Sequence, residues 1–531
     1  LKQYWTAITL TAGLGFTKLL NNYARLRAGA PLNKLLDAKL PKTSKLIKGK
    51  RLSEVSVAKI RPGDVLQLVA GEIVPADAVI TAGESSVDET ALFACAEASS
   101  KTIGDRVLAG SINLDGDLVI QVLFSADDSL TRQLKRLARA GLASEAPLSR
   151  LTDKFNLPFL ALVSFMAVVS GLLGHSGLRS LEILAVATPA CLILTAPLAF
   201  LAGLNQAACR GIFVRSAAKL EILAAAQTIA FSKNGTLTND NFELDNIKTY
   251  AGFSKIEVLS WAAALEQNSS HPLAKPIIQA TLKRNLKIIK VKNVQQVSGG
   301  LSATLKSAQI LLGNAKFLEL RGVELPKDVK KLAKTTALLA VSGQLAGVLQ
   351  FANDVRPEAA AMVAAAKASG LNSLTILTGD SPASAQALGK KLGLKVSGSQ
   401  LPPAEKLYGV ESLAPRPVVF VGDGVSDAAA LMSADVGLAF NVGQAPAGCE
   451  SAGAVITQPN LDDVALVLDL ARQTPAIAKQ NILAGLIVTL GLIMVFASGR
   501  FTPIFGAIIQ EFITVFVVVL TLARFKALSK R

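Results

Sequence analysis

The chain has 531 residues, 51% of them hydrophobic, a mean hydropathy of +0.43 and a net charge of +16. These values exclude an ordinary soluble single domain and favour a membrane protein with large water-soluble parts, in three or four domains. No basic-aromatic recognition module accompanies the charge, so we expect no nucleic-acid partner. Four scattered cysteines without a C-x-x-C pair predict neither disulfides nor a cysteine-paired metal-binding domain.

Five apolar runs are candidate membrane spans: residues 4–20, 157–173, 181–204, 482–498 and 503–523. The first is marginal, because about 20 apolar residues are needed, and an interfacial amphipathic helix is its alternative. Pro189 and Pro197 interrupt the third, which is tolerated where the backbone lines a site. Basic residues concentrate in 28–155, 205–480 and 526–531, which predicts that these parts are cytoplasmic. The first residue, Leu1, then lies outside, and we expect a further helix upstream.

Between the first two runs, residues 28–126 are polar and rich in β-forming residues. Glycine and aspartate separate short Val/Ile/Leu runs, as in GDVL at 63–66, GEIVPAD at 71–77 and GDRVLAG at 104–110. This pattern predicts a small β domain.

The segment TIAFSKNGTLT at 228–238 is an apolar strand followed by a polar turn. Two later strands also end in polar residues, LTILTGD at 374–380 and VVFVGDGVSD at 418–427, and Lys406 follows a Pro402-Pro403 loop. Strands that alternate with helices and carry polar residues at their carboxyl ends predict a doubly wound parallel sheet with its site at that edge.

An inserted domain is predicted between the first of these strands and the others. It contains EQNSSHPLA at 266–274, GGLSA at 299–303 and LGN at 312–314. A lone His-Pro or Gly-Gly is weak evidence and is most often a turn. The order and spacing of all three together are specific.

In this order, the segments resemble the P-type ATPases, and residues 187–197 resemble the Cys-Pro helix of their heavy-metal subgroup. The resemblance implies a multi-domain α-helical membrane protein with an α/β haloacid dehalogenase-like phosphorylation domain, an inserted α+β nucleotide-binding domain and a β-rich actuator domain. The implied divisions are a transmembrane helix at 1–27, the actuator-like domain at 28–135, two transmembrane helices at 136–210, the phosphorylation domain at 211–240 and 351–478, the nucleotide-binding domain at 241–350, and two transmembrane helices with a basic tail at 479–531.

The resemblance also implies roles for individual residues. Five of the seven residues of the family's phosphorylation motif Asp-Lys-Thr-Gly-Thr-Leu-Thr match, but Ser232 replaces the acceptor aspartate and Asn234 replaces the first threonine. The implied cofactors are ATP and Mg²⁺. The implied site comprises Ser232, Lys233, Thr236, Thr378, Gly379, Asp380, Lys406 and Asp427 for phosphoryl transfer, Asp423 for Mg²⁺, and Glu266, His271, Gly299 and Gly300 for the adenine.

Other family positions also differ. Cys95 stands where the family's actuator glutamate positions the hydrolytic water, and Glu97 lies two residues further on. Thr188 and Ala190 flank Pro189, and Cys191 is displaced by one residue, so a ligand role and a small buried thiol are equally expected for it. In the last run, Thr514 and Thr521 stand where related pumps carry polar ligands, and Glu511 faces either a cavity or the interface.

We therefore expect an ATP-binding, multi-pass protein of the cell membrane, of the cation-transporting type, with large cytoplasmic domains and with phosphorylation and transport impaired by Ser232. The expected partners are the lipid bilayer, ATP and a metal cation. The alternatives are an active metal exporter with altered chemistry and a nucleotide-sensing regulatory or scaffold protein.

Overall fold

The computed structural model describes residues 4–528 except for 38–39, 49–50, 94–97, 144–148, 176, 188–189, 240–241, 268, 270–272, 290, 298, 306–307, 327–328, 330–334, 353, 372, 425, 443–447 and 499. The chain divides into two compact units, residues 1–226 with 435–531 and residues 227–434.

The first unit contains a β-rich part. Its strands form a six-stranded sheet in the order β2-β1-β3-β9-β4-β7 and a three-stranded sheet in the order β6-β5-β8. In β9, Leu118, Ile120 and Val122 are buried and the residues between them are not, which is the alternation expected of a strand with one core face. The strands are β1 Thr43–Lys48, β2 Arg51–Ser56, β3 Val65–Leu68, β4 Ala78–Ala82, β5 Ser85–Asp88, β6 Ser99–Lys101, β7 Arg106–Val107, β8 Ile112–Asn113 and β9 Leu118–Val122.

Helices precede and follow the β-rich part in the sequence. The apolar run predicted at 181–204 lies in two helices, the first ending at Val186 and the second beginning at Ala190. Ala187, between them, belongs to neither helix. The helices are α1 Tyr4–Ala28, α2 Ala30–Asp37, α3 Leu130–Ala143, α4 Ser149–Leu173, α5 Gly177–Val186, α6 Ala190–Cys209 and α7 Ala217–Ala224.

Asp77 connects the β-rich part to α3. One of its carboxylate oxygens accepts a hydrogen bond from Ala109 N at 2.8 Å, and the other accepts one from Leu130 N, at the start of α3, at 2.6 Å. A carboxylate at a helix N-terminus satisfies a backbone N–H that has no partner within the helix. Burial raises the pKa of Asp77 in spite of these hydrogen bonds.

In the second unit, four parallel strands carry the predicted site. Their order is β20-β11-β18-β19, and β11 pairs in parallel with both β18 and β20, so the carboxyl ends of these three strands meet at one edge. All four residues of β11 are buried, as is typical of a strand covered on both faces. The strands are β11 Thr228–Phe231, β18 Ser373–Leu377, β19 Lys395–Gly398 and β20 Val418–Gly422.

The same unit contains an antiparallel six-stranded sheet in the order β12-β17-β16-β15-β14-β13. Separate apolar clusters pack on this sheet, one around Ile247, Val258 and Leu349 and another around Leu318, Leu338 and Val348. Its strands are β12 Glu243–Thr249, β13 Lys292–Val297, β14 Gly300–Leu305, β15 Ala308–Gly313, β16 Thr335–Val341 and β17 Gln344–Ala352. The helices of the unit are α8 Lys255–Glu266, α9 Ala274–Lys283, α10 Ala315–Glu319, α11 Ala359–Ala368, α12 Pro382–Leu392, α13 Pro403–Glu411 and α14 Ala428–Ser433.

The C-terminal part returns to the first unit. Strands β21 Val436–Phe440 and β22 Ala454–Ile456 join β10 Ile212–Val214 in the order β10-β22-β21, and the helices are α15 Gly448–Ser451, α16 Asp462–Phe496 and α17 Pro503–Leu528. Within the described residues, α16 and the segment Pro503–Phe525 of α17 are long and apolar enough to cross a membrane, whereas the apolar helical segments Leu157–Leu173 and Leu194–Cys209 are shorter.

Candidate functional site

Ser232 lies at the carboxyl end of β11. It is only 2% exposed, and its backbone N–H donates to Val421 O of the adjacent strand at 2.8 Å. The chain then turns through Gly235, whose φ of +73° is in the left-handed region that favours glycine. The Ser232 hydroxyl therefore lies in the protein interior, at the edge where three parallel strands end.

Lys406 joins Ser232 to a buried carboxylate. Its ammonium donates to Asp427 Oδ1 at 2.6 Å and to Ser232 Oγ at 3.4 Å. The Asp427 side chain is fully buried, and the Lys406 side chain is 9% exposed. A Cβ at Gly422 would lie 2.6 Å from Asp427 Oδ2, so this carboxylate fits only against a glycine. The pair places a fixed positive charge beside the serine hydroxyl.

Asp380 forms a second charged cluster at this edge. It accepts hydrogen bonds from Lys233 Nζ, from Asn234 Nδ2 at 3.0 Å and from Thr335 Oγ1 at 3.1 Å, and Lys233 also donates to Ser384 Oγ. Burial by itself would raise the pKa of Asp380, but the Lys233 ammonium and these hydrogen bonds outweigh it and hold the pKa below its usual value. Asp380 thus joins the loop after β11 to the first residue of β16.

Thr378 and Thr236 are buried hydroxyl residues of the same unit. Thr378 Oγ1 accepts a hydrogen bond from Asp380 N at 3.1 Å, and Gly379 between them is exposed. Thr236 is fully buried, its carbonyl accepts from Arg356 Nε at 3.0 Å, and its Oγ1 has no partner among the described residues. A buried hydroxyl without a protein partner fits a site that receives a polar ligand.

Asp423 is the carboxylate predicted to hold Mg²⁺. Ser426 N donates to Asp423 Oδ1 at 3.1 Å, and Ser426 Oγ lies 3.0 and 2.9 Å from its two carboxylate oxygens. Protein sites bind Mg²⁺ with one or two carboxylates, completed by water and substrate phosphates. Asp423 supplies one carboxylate, which is the smaller of these numbers. Ser232 has no carboxylate and supplies no second one. The described residues contain no group of three or more His, Cys, Asp or Glu side chains placed to hold a metal ion.

Glu266 ends α8 and carries the side chain predicted to contact adenine. It is 5% exposed, and its Oε2 has no partner among the described residues. Burial raises the pKa of its carboxyl, and a hydrogen bond with Ser269 offsets part of this effect. A buried carboxyl oxygen without a partner fits a ligand that donates a hydrogen bond, as the amino group of adenine does.

Gly299 and Gly300 begin the second part of the predicted nucleotide site. Gly299 has a φ of +90°, a backbone conformation that favours glycine over other residues. A Cβ at Gly300 would lie 2.5 Å from Leu312 O and 2.6 Å from the Phe317 ring. The space beside Gly300 is therefore filled by Phe317, which gives this glycine a packing role.

In the first unit, Glu511 of α17 faces α1. Thr17 Oγ1 donates to Glu511 Oε2 at 2.9 Å, and a Cβ at Gly13, one helical turn earlier, would lie 2.6 Å from Glu511 Oε1. Thr514 and Thr521 donate to carbonyls of their own helix, Gln510 O at 3.0 Å and Val517 O at 2.8 Å. Thr521 Oγ1 also accepts a hydrogen bond from Asn481 Nδ2 of α16 at 2.9 Å, so both Glu511 and Thr521 have a side-chain partner on another helix.

Two family models match this chain. Residues 38–139 match the P-type ATPase actuator domain, and residues 226–435 match the haloacid dehalogenase-like hydrolases. The chain is 30% identical to a probable copper-transporting ATPase, PacS, of Synechocystis sp. over 92% of its own length and 68% of that protein. It is likewise 30% identical to a probable copper-exporting P-type ATPase of Archaeoglobus fulgidus, over 96% of its length and 64% of that protein. The chain belongs to the family of heavy-metal-transporting P-type ATPases.

A solved relative extends this assignment to the fold. A crystal structure of a zinc-transporting PIB-type ATPase in an E2·Pi state is 28% identical to this P-type ATPase, with a TM-score of 0.55, and covers 98% of this chain and 87% of that one. The sequence-based predictions of family and fold class are confirmed. The chain spans about two thirds of the length of the curated relatives it matches, 68% and 64% for the two above.

Several residues singled out in the sequence lie outside the described residues: Cys95, Glu97, Thr188, Pro189 and His271. Ala190 and Cys191 belong to α6, but their side chains lie outside the description. The expectations for these residues stay predictions from the sequence.

No sequence motif marks Ser384 or Thr335, which complete the surroundings of Lys233 and Asp380. Ser384 lies three residues after Ser381, which caps α12, so a capping signal predicts the helix start but not the contact with Lys233. Thr335 opens a strand that is distant in sequence, and no local pattern marks it.

Proposed function

We propose that this protein is a P-type ATPase-family membrane protein that binds ATP and Mg²⁺ but forms no phosphoenzyme at Ser232, so that cation transport is impaired. The observation that carries the proposal is the position of Ser232 Oγ, buried beside the Lys406 ammonium. The large domains lie on the cytoplasmic side of the cell membrane, in accord with the distribution of basic residues.

A serine hydroxyl attacks a phosphorus atom only when a base removes its proton. The amine beside Ser232 belongs to Lys406, whose ammonium forms an ion pair with Asp427 at 2.6 Å. An ammonium cannot accept the proton of the serine hydroxyl. It stabilises a negatively charged phosphoryl acceptor, and serine is neutral. The family's acceptor is a carboxylate, which needs no deprotonation at neutral pH and forms an acyl phosphate that is readily hydrolysed.

Nucleotide binding is supported independently of Ser232. Glu266 Oε2 and Thr236 Oγ1 are buried polar atoms without a partner among the described residues. In a native protein such atoms usually face a ligand or water. We assign Glu266 to the adenine, with His271, Gly299 and Gly300, and Thr236 with Thr378, Lys406 and Lys233 to the phosphates. Asp423 would hold Mg²⁺ together with the nucleotide.

The transported ion would be a heavy-metal cation, since the relatives named above carry copper or zinc in their names. An active exporter with altered chemistry is the second candidate function. Glu511 favours it, because a carboxylate between α1 and α17 is the kind of group that a cation pathway retains.

The experiment uses the purified full chain in detergent with Mg²⁺ and γ-labelled ATP. Equilibrium dialysis should detect bound ATP, and Glu266→Ala should weaken binding by about tenfold, as expected for one lost hydrogen bond to a charged group. Glu243→Ala, at an exposed position of β12, is the matched control and should bind as the wild type does.

Acid-quenched samples of the same protein should contain no protein-bound label. Label that resists hydroxylamine and is lost in Ser232→Ala would identify a seryl phosphate and overturn the proposal. Failure of dialysis to detect ATP at millimolar concentration would overturn the nucleotide-binding part separately.

A further inference from the structure

A cavity of about 280 Å³ lies in the first unit where α4 turns into α5. Its volume is near the lower end of ligand pockets, roughly 300–1,000 Å³. Arg179 of α5 and Ala497, just after α16, close it at one end. One stripe of α4 forms its wall, with helical spacing: Phe165, Met166, Val169, Ser170 and Leu173.

Arg179 supplies the charge of this cavity. Its side chain lies across Gly174, where a Cβ would be 2.6 Å from Arg179 Nε and Nη1. Among the described residues, Arg179 forms no hydrogen bond and no ion pair. Glu182, three residues along α5, is the acidic group that interacts with it electrostatically. The guanidinium therefore has donors available to a ligand.

Ser170 of α4 also lines the cavity. Ser170 Oγ is buried and has no partner among the described residues. Arg179 is the third residue of α5, a helix of 10 residues, and the N–H groups of a first helical turn attract anions. The Arg179 guanidinium is therefore the group of the cavity lining that attracts an anion.

The α4 residues of the cavity lining are mostly apolar, and two of them are exposed. Phe165 is 66% exposed and Leu173 is 77% exposed. In a water-soluble protein such exposure would be unfavourable, whereas in this membrane protein it provides contact with acyl chains. The cavity thus has the two-ended chemistry of a phospholipid.

We propose that this cavity binds an acidic phospholipid of the phosphatidylglycerol class, with the phosphate at Arg179 and an acyl chain along the α4 stripe. An acidic lipid is favoured over phosphatidylcholine because the ammonium of choline would lie near the guanidinium and repel it. The assignment depends on the membrane location of the family and is independent of the chemistry at Ser232.

The test measures lipid binding to the full chain by native mass spectrometry and thermal unfolding in neutral detergent. The wild type should retain one phosphatidylglycerol in preference to phosphatidylcholine, and its unfolding midpoint should rise with phosphatidylglycerol. Arg179→Gln should weaken this binding by about fivefold or more, the effect of one basic group at a lipid headgroup. Arg500→Gln removes an exposed charge close in sequence to Ala497 and should have no effect.

Gly174→Ala provides a variant that keeps the charge. The added methyl cannot coexist with the present position of the guanidinium, so preference for phosphatidylglycerol should fall although the net charge is unchanged. Equal binding by wild type and Arg179→Gln, or an equal loss in Arg500→Gln, would overturn the proposal. It would also be overturned if inorganic phosphate stabilised the chain as strongly as the lipid, because the site would then recognise an anion alone.

Discussion

At the residue scale, Ser232 is a neutral group placed among charged ones. Lys406 and Asp427 form a buried ion pair beside it, and Lys233 and Asp380 form another at the same sheet edge. A buried pair is retained when its geometry and hydrogen bonds compensate desolvation. These pairs supply the fixed charges that phosphoryl transfer requires. The group at the acceptor position, Ser232, is the one that carries no charge.

Replacing Ser232 by aspartate should restore the first half of the reaction. The new carboxylate would lie beside the Lys406 ammonium and provide a second carboxylate for Mg²⁺ together with Asp423. We expect Ser232→Asp to form a phosphoenzyme from γ-labelled ATP, with labelling rising from none to nearly stoichiometric. Acid quenching followed by hydroxylamine measures it, because hydroxylamine cleaves an acyl phosphate.

Ser232→Asn is the matched control, since it has the shape of aspartate without its charge, and it should remain unlabelled. An unlabelled Ser232→Asp variant that still binds ATP would mean that the phosphorylation domain has lost more than the acceptor. The interpretation of Lys406, Asp423 and Asp427 would then be wrong.

The individual residues of this site differ in how far the sequence predicts them. Ser232, Asp380 and Asp427 each come shortly after the end of an apolar strand. Because these strands pair in parallel, their ends lie at one edge of the sheet, and the sequence predicts that the three residues meet there. Thr335 belongs to the domain inserted between β11 and β18, so its contact with Asp380 depends on the fold of that domain. Local patterns cannot specify such a contact, because it is determined by how the inserted domain joins the sheet.

At the element scale, α1 and α17 approach closely where Gly13 faces Glu511. Membrane helices associate through small residues and interhelical hydrogen bonds, because the lipid provides no hydrophobic drive between them. Gly13 is buried and leaves room for the Glu511 carboxylate, and Thr17 donates to it at 2.9 Å. Gly15 lies two residues further on and has nothing within 4 Å of an added Cβ.

These two glycines permit a comparison within one helix. Gly13→Ala should lower the thermal unfolding midpoint of the detergent-solubilised chain, because its Cβ would lie 2.6 Å from Glu511 Oε1 and displace the carboxylate from its hydrogen bond with Thr17. A destabilisation of about 1–3 kcal/mol is expected, as for other overpacked interiors. Gly15→Ala makes the same chemical change in open space and should leave the midpoint unchanged or raise it. Equal effects of both substitutions would contradict the packing of α1 on α17.

The helices also show why hydropathy alone predicts element limits poorly. The apolar run predicted at 482–498 is only the second half of α16, which begins at Asp462. Before Ile482, Asp469 and Arg472 lower the hydropathy, but Val464, Val467, Leu468 and Ala471 are buried with helical spacing. A continuous apolar run is expected only where the helix contacts lipid. The helix itself can extend further, as long as one of its faces packs on protein.

At the scale of the whole molecule, three chemistries must work in sequence: phosphorylation, hydrolysis of the phosphoenzyme, and movement of a cation. We expect the residues at Ser232, at Cys95 and around Pro189, which differ from the family pattern, to affect all three. Substitutions in groups that act as one unit are strongly non-additive, since restoring one step exposes the next defect. Single reversions are therefore expected to restore partial reactions only.

The combination of Ser232→Asp with Cys95→Glu tests this dependence between domains. Ser232→Asp alone should accumulate phosphoenzyme, because no glutamate positions the attacking water. The double variant should shorten the phosphoenzyme lifetime by about 100-fold, the lower range of general acid–base catalysis. Cys95→Glu alone has no acceptor and should release no phosphate. A chase with unlabelled ATP measures the lifetime, and phosphate release measures turnover. Steady hydrolysis by Ser232→Asp alone would show that another group, with Glu97 as the first candidate, already positions the water.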